Sequence, residues 1–176
     1  MKRGYGMGET EKKMKKPVSS NARQAISKRI LVAEDNKSIQ TVVSRFLDFM
    51  GFEVALAGNG VEALSLFMAK PFDLVLTDLE MPIMDGWSLT HCIKERSPNT
   101  PVVLMTGGDR ETVWKKVERG PVDSVIFKPF RVEDLQRTVQ GALAFREGGH
   151  GSVGVGQGGW SDENKVSFMR AANHLG

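Results

Sequence analysis

The chain has 176 residues, of which 40% are hydrophobic and 26% charged, a composition that predicts one globular domain with its own core. No apolar run approaches the roughly 20 residues that a transmembrane helix needs, and no apolar segment follows the basic N-terminus as in a secretory signal. We therefore expect a soluble, cytoplasmic protein. The lone cysteine, Cys92, excludes an intramolecular disulfide and a zinc site built from several cysteines.

The positive charge of the chain is concentrated near its N-terminus. Residues 1–29 hold nine Lys/Arg against two Glu, a net of +7, whereas residues 30–176 hold fifteen Lys/Arg against nineteen Asp/Glu, a net of −4. The overall charge of +3 therefore describes a basic arm on a mildly acidic body, and it does not indicate a nucleic-acid-binding domain. We interpret residues 1–27 as a basic, disordered arm, which either keeps the protein in solution or contacts an acidic partner or nucleic acid.

In residues 28–146, short apolar runs alternate with amphipathic patterns. The runs are rich in β-branched or aromatic residues and predict strands buried on both faces, at 29–33, 52–57, 72–77, 102–105 and 122–127. The patterns between them predict helices at 38–50, 60–69, 86–95, 109–118 and 132–145, with Asp109 as the N-cap of the fourth. This alternation predicts an α/β fold, a flavodoxin-like (βα)₅ doubly wound sandwich with a five-stranded parallel sheet.

Residues 147–176 differ in composition from this region. The stretch 148–159 contains seven glycines in twelve positions and predicts a flexible linker. After it, Ser161 is a candidate N-cap, and Val166, Met169 and Ala172 follow at helical spacing. The tail therefore has room for a short amphipathic helix.

Polar side chains stand at the ends of four of the five predicted strands. Glu34 and Asp35 follow the first strand, Asp78 the third, Thr106 the fourth and Lys128 the fifth. The carboxyl ends of parallel strands meet at one edge, where such sheets bind their ligands. Three carboxylates there repel one another unless a cation shares the site, and oxygen ligands favour Mg²⁺. A hydroxyl and an ammonium group can hold phosphoryl oxygens while a carboxylate acts as nucleophile, so the set predicts phosphoryl transfer.

The sequence resembles the receiver domain of two-component response regulators, the single-domain signalling switches of bacteria. The resemblance covers roughly residues 28–146. Four stretches carry it, in order and with the spacing of one receiver: ILVAEDN (30–36), DLVLTDLEMPIMDG (73–86), PVVLMTGG (101–108) and IFKPF (126–130).

The resemblance implies a role for each acidic residue of the set. Asp78 matches the phosphoacceptor of the family. Asp35 matches the acid that contacts Mg²⁺ directly, and Glu34 matches its neighbour that acts through water. Glu80 occupies the position whose backbone carbonyl binds the metal. The expected cofactor is therefore Mg²⁺.

The resemblance also identifies the residues that grip the phosphoryl group. Thr106 and Lys128 match the family's pair, the backbone of Gly107 matches a phosphoryl contact, and the bond between Lys128 and Pro129 is often cis in the family. One departure concerns the position three residues before the lysine, which is usually aromatic and swings inward on activation. Here it is Val125. We therefore expect activation to move the loop 106–109 and the fourth helix, where Trp114 is predicted to be half-buried or exposed.

The implied function is that of a stand-alone response regulator, which is not an enzyme beyond its own phosphotransfer and dephosphorylation. Its expected partners are a histidine kinase or histidine phosphotransfer protein and an unidentified downstream protein. No helix-turn-helix pattern follows the receiver region, so we expect no direct DNA binding, and we expect no contact with a membrane.

Two alternatives remain open from the sequence. One is a phosphohydrolase of the haloacid-dehalogenase type, which also combines Asp, Mg²⁺, Thr and Lys. Those enzymes carry their nucleophile on the first strand in a D-x-D pattern, which Asp78-Leu79-Glu80 matches poorly. The other is a degenerate receiver that acts as an unphosphorylated scaffold, a reading that Val125 leaves possible.

Overall fold

The structure is a computed structural model that describes residues 27–118 and 120–148. Five strands and five helices alternate along these residues. The strands are β1 (Arg29–Ala33), β2 (Glu53–Ala57), β3 (Leu74–Asp78), β4 (Val102–Thr106) and β5 (Ser124–Phe127). The helices are α1 (Lys37–Phe49), α2 (Gly60–Ala69), α3 (Gly86–Arg96), α4 (Arg110–Val117) and α5 (Val132–Gly148).

The strands form one parallel sheet in the order β2-β1-β3-β4-β5. Its two faces carry different helices, and each face has its own core because alternate side chains of each strand point to opposite sides. On one face Ile30 of β1 belongs to a core cluster with Val43 of α1 and Val139 of α5. On the other face Leu31 packs with residues of α2 and α3, and a separate cluster joins β4 and β5 to α4. The predicted doubly wound fold is confirmed.

Most predicted element boundaries lie within a residue or two of those observed. At the site edge the structure extends two strands by one residue, since β3 continues through Asp78 and β4 through Thr106. Ladder pairing explains this, since Asp78 is the partner of Met105 and Thr106 the partner of Phe127. The last helix also runs beyond its predicted end at residue 145, to Gly148.

The prediction that every strand is buried on both faces is wrong for β2. This strand lies at the edge of the sheet, and Leu56 on it is 39% exposed. On the adjoining helix α1, Val42 is 61% exposed although it lies at helical spacing from the apolar residues Ile39 and Phe46. An apolar stripe read from spacing alone is wider than the strip of helix that the sheet covers, because the core lies under Val43 and Leu47.

Four helices begin at a side chain that accepts hydrogen bonds from the first turn. Asn36, Asn59, Asp85 and Asp109 cap α1, α2, α3 and α4 respectively. The predicted N-cap at Asp109 is confirmed, since its carboxylate accepts a hydrogen bond of 2.9 Å from the backbone N–H of Thr112. Such caps satisfy backbone donors that the helix itself leaves unpaired.

The predicted basic arm, the Gly-rich linker and the short C-terminal helix fall outside the described ranges, except for Ser27 and the residues that close α5. In those ranges, every helix is too short or too polar to cross a bilayer.

Two glycines near the site differ in the room that a side chain would have at their position. A Cβ atom at Gly86 would collide with the backbone carbonyl oxygen of Asp78, whereas a Cβ at Gly107 would meet no heavy atom within 4 Å. We expect Gly86→Ala to lower the free energy of unfolding by about 3 kcal/mol, because backbone must move to admit the methyl group. Gly107→Ala is the matched control and should change it by less than about 0.5 kcal/mol. Urea unfolding of both variants measures this, and equal losses would contradict it.

Candidate functional site

The structure brings the three predicted acidic residues together at the carboxyl edge of the sheet. Glu34 and Asp35 directly follow β1, and Asp78 is the last residue of the neighbouring β3. One carboxylate oxygen of each lies within 4.8 Å of the others. Glu34 and Asp78 are buried and Asp35 is exposed. The cluster therefore has two acids anchored in the protein and one facing solvent.

Lys128 reaches this cluster from the end of β5. Its Nζ lies 2.8 Å from Oε2 of Glu34 and 2.9 Å from Oδ2 of Asp78. The other oxygen of Glu34 accepts a hydrogen bond of 3.2 Å from the backbone N–H of Asn36, so both oxygens of this buried acid are engaged. The peptide bond between Lys128 and Pro129 is cis, as the resemblance implies.

The charges at the site perturb one another. Burial raises the pKa of Glu34 above 4.5, and the neighbouring Asp78 adds to this, while the hydrogen bond from Lys128 opposes it. Burial tends to lower the pKa of Lys128, but its contacts with Asp78 and Glu34 outweigh burial and raise it above 10.5. The lysine is therefore a fixed positive charge between two carboxylates.

Thr106 stands at the end of β4 with its side chain buried. Its Oγ1 accepts a hydrogen bond of 3.0 Å from the backbone N–H of Gly108, which leaves the hydroxyl proton for another acceptor. The backbone carbonyl of Thr106 accepts a hydrogen bond of 2.7 Å from the N–H of Lys128. Gly107, the next residue, is exposed. Thr106 and Lys128 are thus tied together through the backbone.

Gln40 is a buried polar residue that the sequence reasoning did not single out. Its side-chain amide donates hydrogen bonds of 3.2 Å to the backbone oxygen of Glu34 and 2.9 Å to that of Ala57. These bonds join α1 to the ends of β1 and β2 and hold the chain where the acidic pair begins. The only indication in the sequence was a polar residue, Gln40, next to the apolar residues of the predicted first helix.

A surface cleft of about 470 Å³ opens beside Asp35. Acidic side chains, apolar side chains and one lysine form its walls: Asp35, Leu79, Glu80, Met81, Pro82, Asp85, Trp87 and Lys116. The side chain of Glu80 is exposed. The cleft places solvent-accessible space directly next to the acidic cluster.

On the α4 side of the site, the aromatic ring of β5 belongs to Phe127, whereas the resemblance drew attention to position 125. Val125 is buried in the cluster beneath α4, as a small aliphatic side chain. Phe127, two residues later on the same face, lies against Trp114 with ring centroids 6.0 Å apart. The guanidinium of Arg110 lies 4.4 Å above the same Phe127 ring. Trp114 is half-buried, and it packs inward on Phe127.

Comparison with known proteins supports one family. A sequence model of the response regulator receiver domain matches residues 30–140. The transcriptional regulatory protein ZraR of Klebsiella oxytoca is 40% identical over 116 residues, which are 65% of this chain and 26% of ZraR. This chain therefore matches about a quarter of the length of that curated relative. The autoinducer 1 sensor kinase/phosphatase LuxN of Vibrio campbellii is 37% identical over 87 residues, 48% of this chain and 10% of LuxN.

Solved structures show the same similarity in three dimensions. A CheY-like response regulator receiver domain protein from Methanospirillum hungatei superposes with a TM-score of 0.64 at 29% identity, covering 69% of this chain and 97% of that one. The receiver domain of a sensor histidine kinase from Pseudomonas aeruginosa, which has a magnesium ion coordinated in its active site cleft, gives a TM-score of 0.62 at 27% identity and covers 67% and 98%. Since the family's sequence pattern spans most of the described fold, this chain belongs to the response regulator receiver domain family of two-component systems.

Proposed function

We propose that Asp78 accepts a phosphoryl group from a histidine kinase or a histidine phosphotransfer protein, and that the phosphorylated chain signals by contact with a downstream protein. The observation that carries the proposal is the position of Lys128, which lies within 2.9 Å of an Asp78 oxygen at an edge where three carboxylates meet. An ammonium group beside the acceptor can stabilise the negative charge that a phosphoryl group adds, while the Asp78 carboxylate stays in its place.

The donor set at this edge fits Mg²⁺. All three side chains offer carboxylate oxygens within 4.8 Å of one another, and Mg²⁺ prefers oxygen ligands while keeping several waters. We assign direct contacts to Asp35 and Asp78, a water-mediated contact to Glu34 and a backbone carbonyl contact to Glu80. When bound, the ion would neutralise charge on the phosphoryl oxygens.

The protein's own groups carry out the rest of the transfer. A carboxylate oxygen of Asp78 forms a bond to phosphorus as the bond between phosphorus and the donor histidine nitrogen breaks, and that nitrogen keeps the electron pair. Lys128 pairs with the phosphoryl group as a point charge, and the Thr106 hydroxyl donates a hydrogen bond to it. The backbone N–H of Gly107 offers a further contact. Water then attacks the acyl phosphate, which releases inorganic phosphate and regenerates the Asp78 carboxylate. The activity that we propose is limited to this self-directed transfer and dephosphorylation.

Membership of the receiver family favours this function over a haloacid-dehalogenase-type phosphohydrolase. The position of Asp78 at the end of β3, not β1, points the same way. The scaffold alternative makes a different prediction, because an unphosphorylated scaffold gains no phosphoryl group under any condition.

We expect the intact protein to gain the mass of one phosphoryl group when it is incubated with acetyl phosphate and Mg²⁺. Asp78→Asn should gain none, because an amide oxygen is too weak a nucleophile, and excess chelator should prevent the gain in the wild type. Asp48→Asn, an exposed acid on α1, is the matched control and should behave as wild type. A wild type that stays unmodified would replace this function with the scaffold, and modification of Asp78→Asn would refute the assigned acceptor.

A further inference from the structure

Phe127 occupies the position between the two residues that are proposed to grip the phosphoryl group. It pairs with Thr106 in the ladder of β4 and β5, and it directly precedes Lys128 in the chain. The hydrogen bond of 2.7 Å from the Lys128 N–H to the Thr106 carbonyl closes this small backbone unit. A displacement of either neighbour therefore displaces the backbone that carries the Phe127 ring.

The ring of Phe127 also contacts two residues of α4. Arg110, the first residue of the helix, places its guanidinium 4.4 Å above the ring, in cation–π geometry. Trp114, one turn later, packs on the ring at 6.0 Å with a tilt of 50°. Only 7% of Phe127 is exposed, so the ring has little free space and its movement must be accommodated by these neighbours.

Val125 cannot supply the same link. It lies on the same face of β5 two residues earlier and is 1% exposed, in a cluster with Val113 and Val117 of α4. Its two methyl groups offer no ring for a cation or an indole, and its ladder partner is Leu104, not a residue of the site. In the part of the chain that the structure describes, the β5 ring that contacts α4 is therefore that of Phe127, next to Lys128.

We propose that Phe127 is the positioning residue that couples phosphorylation of Asp78 to α4. The proposal rests on the function assigned above. A phosphoryl group attracts Thr106 and Lys128, their movement changes how the Phe127 ring fits under Arg110 and Trp114, and α4 shifts between two packing arrangements. A ligand can shift such an equilibrium only through interactions that differ between the two states, and the ring contacts supply that difference.

The test compares Phe127→Leu with Phe130→Leu, two identical changes on either side of the Lys128-Pro129 pair. Phe130 packs against the core cluster on the opposite face of the sheet, under α1 and α5. Beryllofluoride with Mg²⁺ serves as the phosphoryl mimic, and amide hydrogen exchange over residues 107–118 reports on α4. Phosphorylation by acetyl phosphate is followed separately by mass spectrometry in every variant.

We expect wild type and Phe130→Leu to change exchange across 107–118 when the mimic is added. Phe127→Leu should still be phosphorylated at Asp78 but lose this change, which general destabilisation would not produce. Arg110→Gln leaves the core intact, because Arg110 is exposed. This variant should show a weaker change in exchange, because it lacks the cation above the Phe127 ring.

Four results would overturn the inference. If the two single variants, Phe127→Leu and Arg110→Gln, both show the full change in exchange, the Phe127 ring does not take part in the coupling. An equal loss in Phe130→Leu would show that any core change near Lys128 is sufficient. If the wild type is phosphorylated but amide exchange across 107–118 does not change, the coupling is refuted and the proposed function is not. If the wild type is never phosphorylated, both the coupling and the proposed function are refuted.

Discussion

Replacing Lys128 with alanine is expected to lower the free energy of unfolding by about 3 kcal/mol in the absence of Mg²⁺. The reason is that the carboxyl groups of Glu34 and Asp78, 0% and 7% exposed, would lie side by side in the protein with no ammonium between them. Removing one member of a buried ion pair costs more than the pair itself contributes, because the remaining charge is desolvated and unpaired. Urea unfolding in the presence of chelator measures the loss.

The matched control is Lys115→Ala on α4. Lys115 also makes an ion pair, at 2.7 Å with Glu111, but the two side chains are 72% and 77% exposed. An exposed pair contributes little, so this variant should stay within about 0.5 kcal/mol of wild type. Equal losses in the two lysine variants would show that the site lysine is no more than a surface charge.

The pH dependence of the Lys128→Ala variant gives an independent check. Burial and the charge of Asp78 already hold the pKa of Glu34 above 4.5, and Lys128 is the main group that lowers it. Without the lysine the pKa of folded Glu34 should rise further. An acid whose folded pKa exceeds its unfolded pKa takes up a proton on folding, so stability increases as pH falls from the folded pKa towards 4.5. The variant should therefore recover stability relative to wild type on mild acidification, and a deficit that is constant with pH would contradict this origin.

The fold and the composition of the site edge were predictable from sequence because both depend on local patterns. Apolar runs alternating with amphipathic segments imply a parallel sheet, and in such a sheet the residues after each strand meet at one edge. Glu34, Asp78 and Lys128 could be placed together on that basis alone, and in the structure Nζ of Lys128 lies within hydrogen-bonding distance of both carboxylates.

Contacts between elements that are distant in the chain could not be predicted in the same way. Periodicity assigns Phe127 to a face of β5, but it does not say that Arg110 and Trp114 from α4 will enclose its ring. Gln40 was missed for a related reason, since a buried glutamine is only understandable once the backbone oxygens of Glu34 and Ala57 are seen beside it. Strand order had the same limit, and β2 was predicted as fully buried although it lies at the edge.

The exposed acid of the cluster should have the opposite effect from Lys128 on the metal-free protein. Among the described residues, no hydrogen bond or ion pair involves the carboxylate of Asp35, which adds a third negative charge beside Glu34 and Asp78. Asp35→Asn removes that repulsion, so the chelator-treated variant should be as stable as wild type or more so. Its phosphorylation by acetyl phosphate should fall sharply, because a direct ligand of the proposed Mg²⁺ site is lost.

Thermal unfolding with and without Mg²⁺ separates the two effects of Asp35→Asn. A cation that binds only the folded state, at a free concentration of about 100 times its Kd, stabilises the wild type by about 2.7 kcal/mol. The variant should lose most of this stabilisation. Asp109→Asn is the matched control, since it removes an exposed acid that caps α4 beyond the end of β4, and asparagine caps a helix about as well as aspartate. That control should keep the full Mg²⁺ response. If Asp35→Asn keeps it as well, the metal is held elsewhere and the assignment of Asp35 as a direct ligand is wrong.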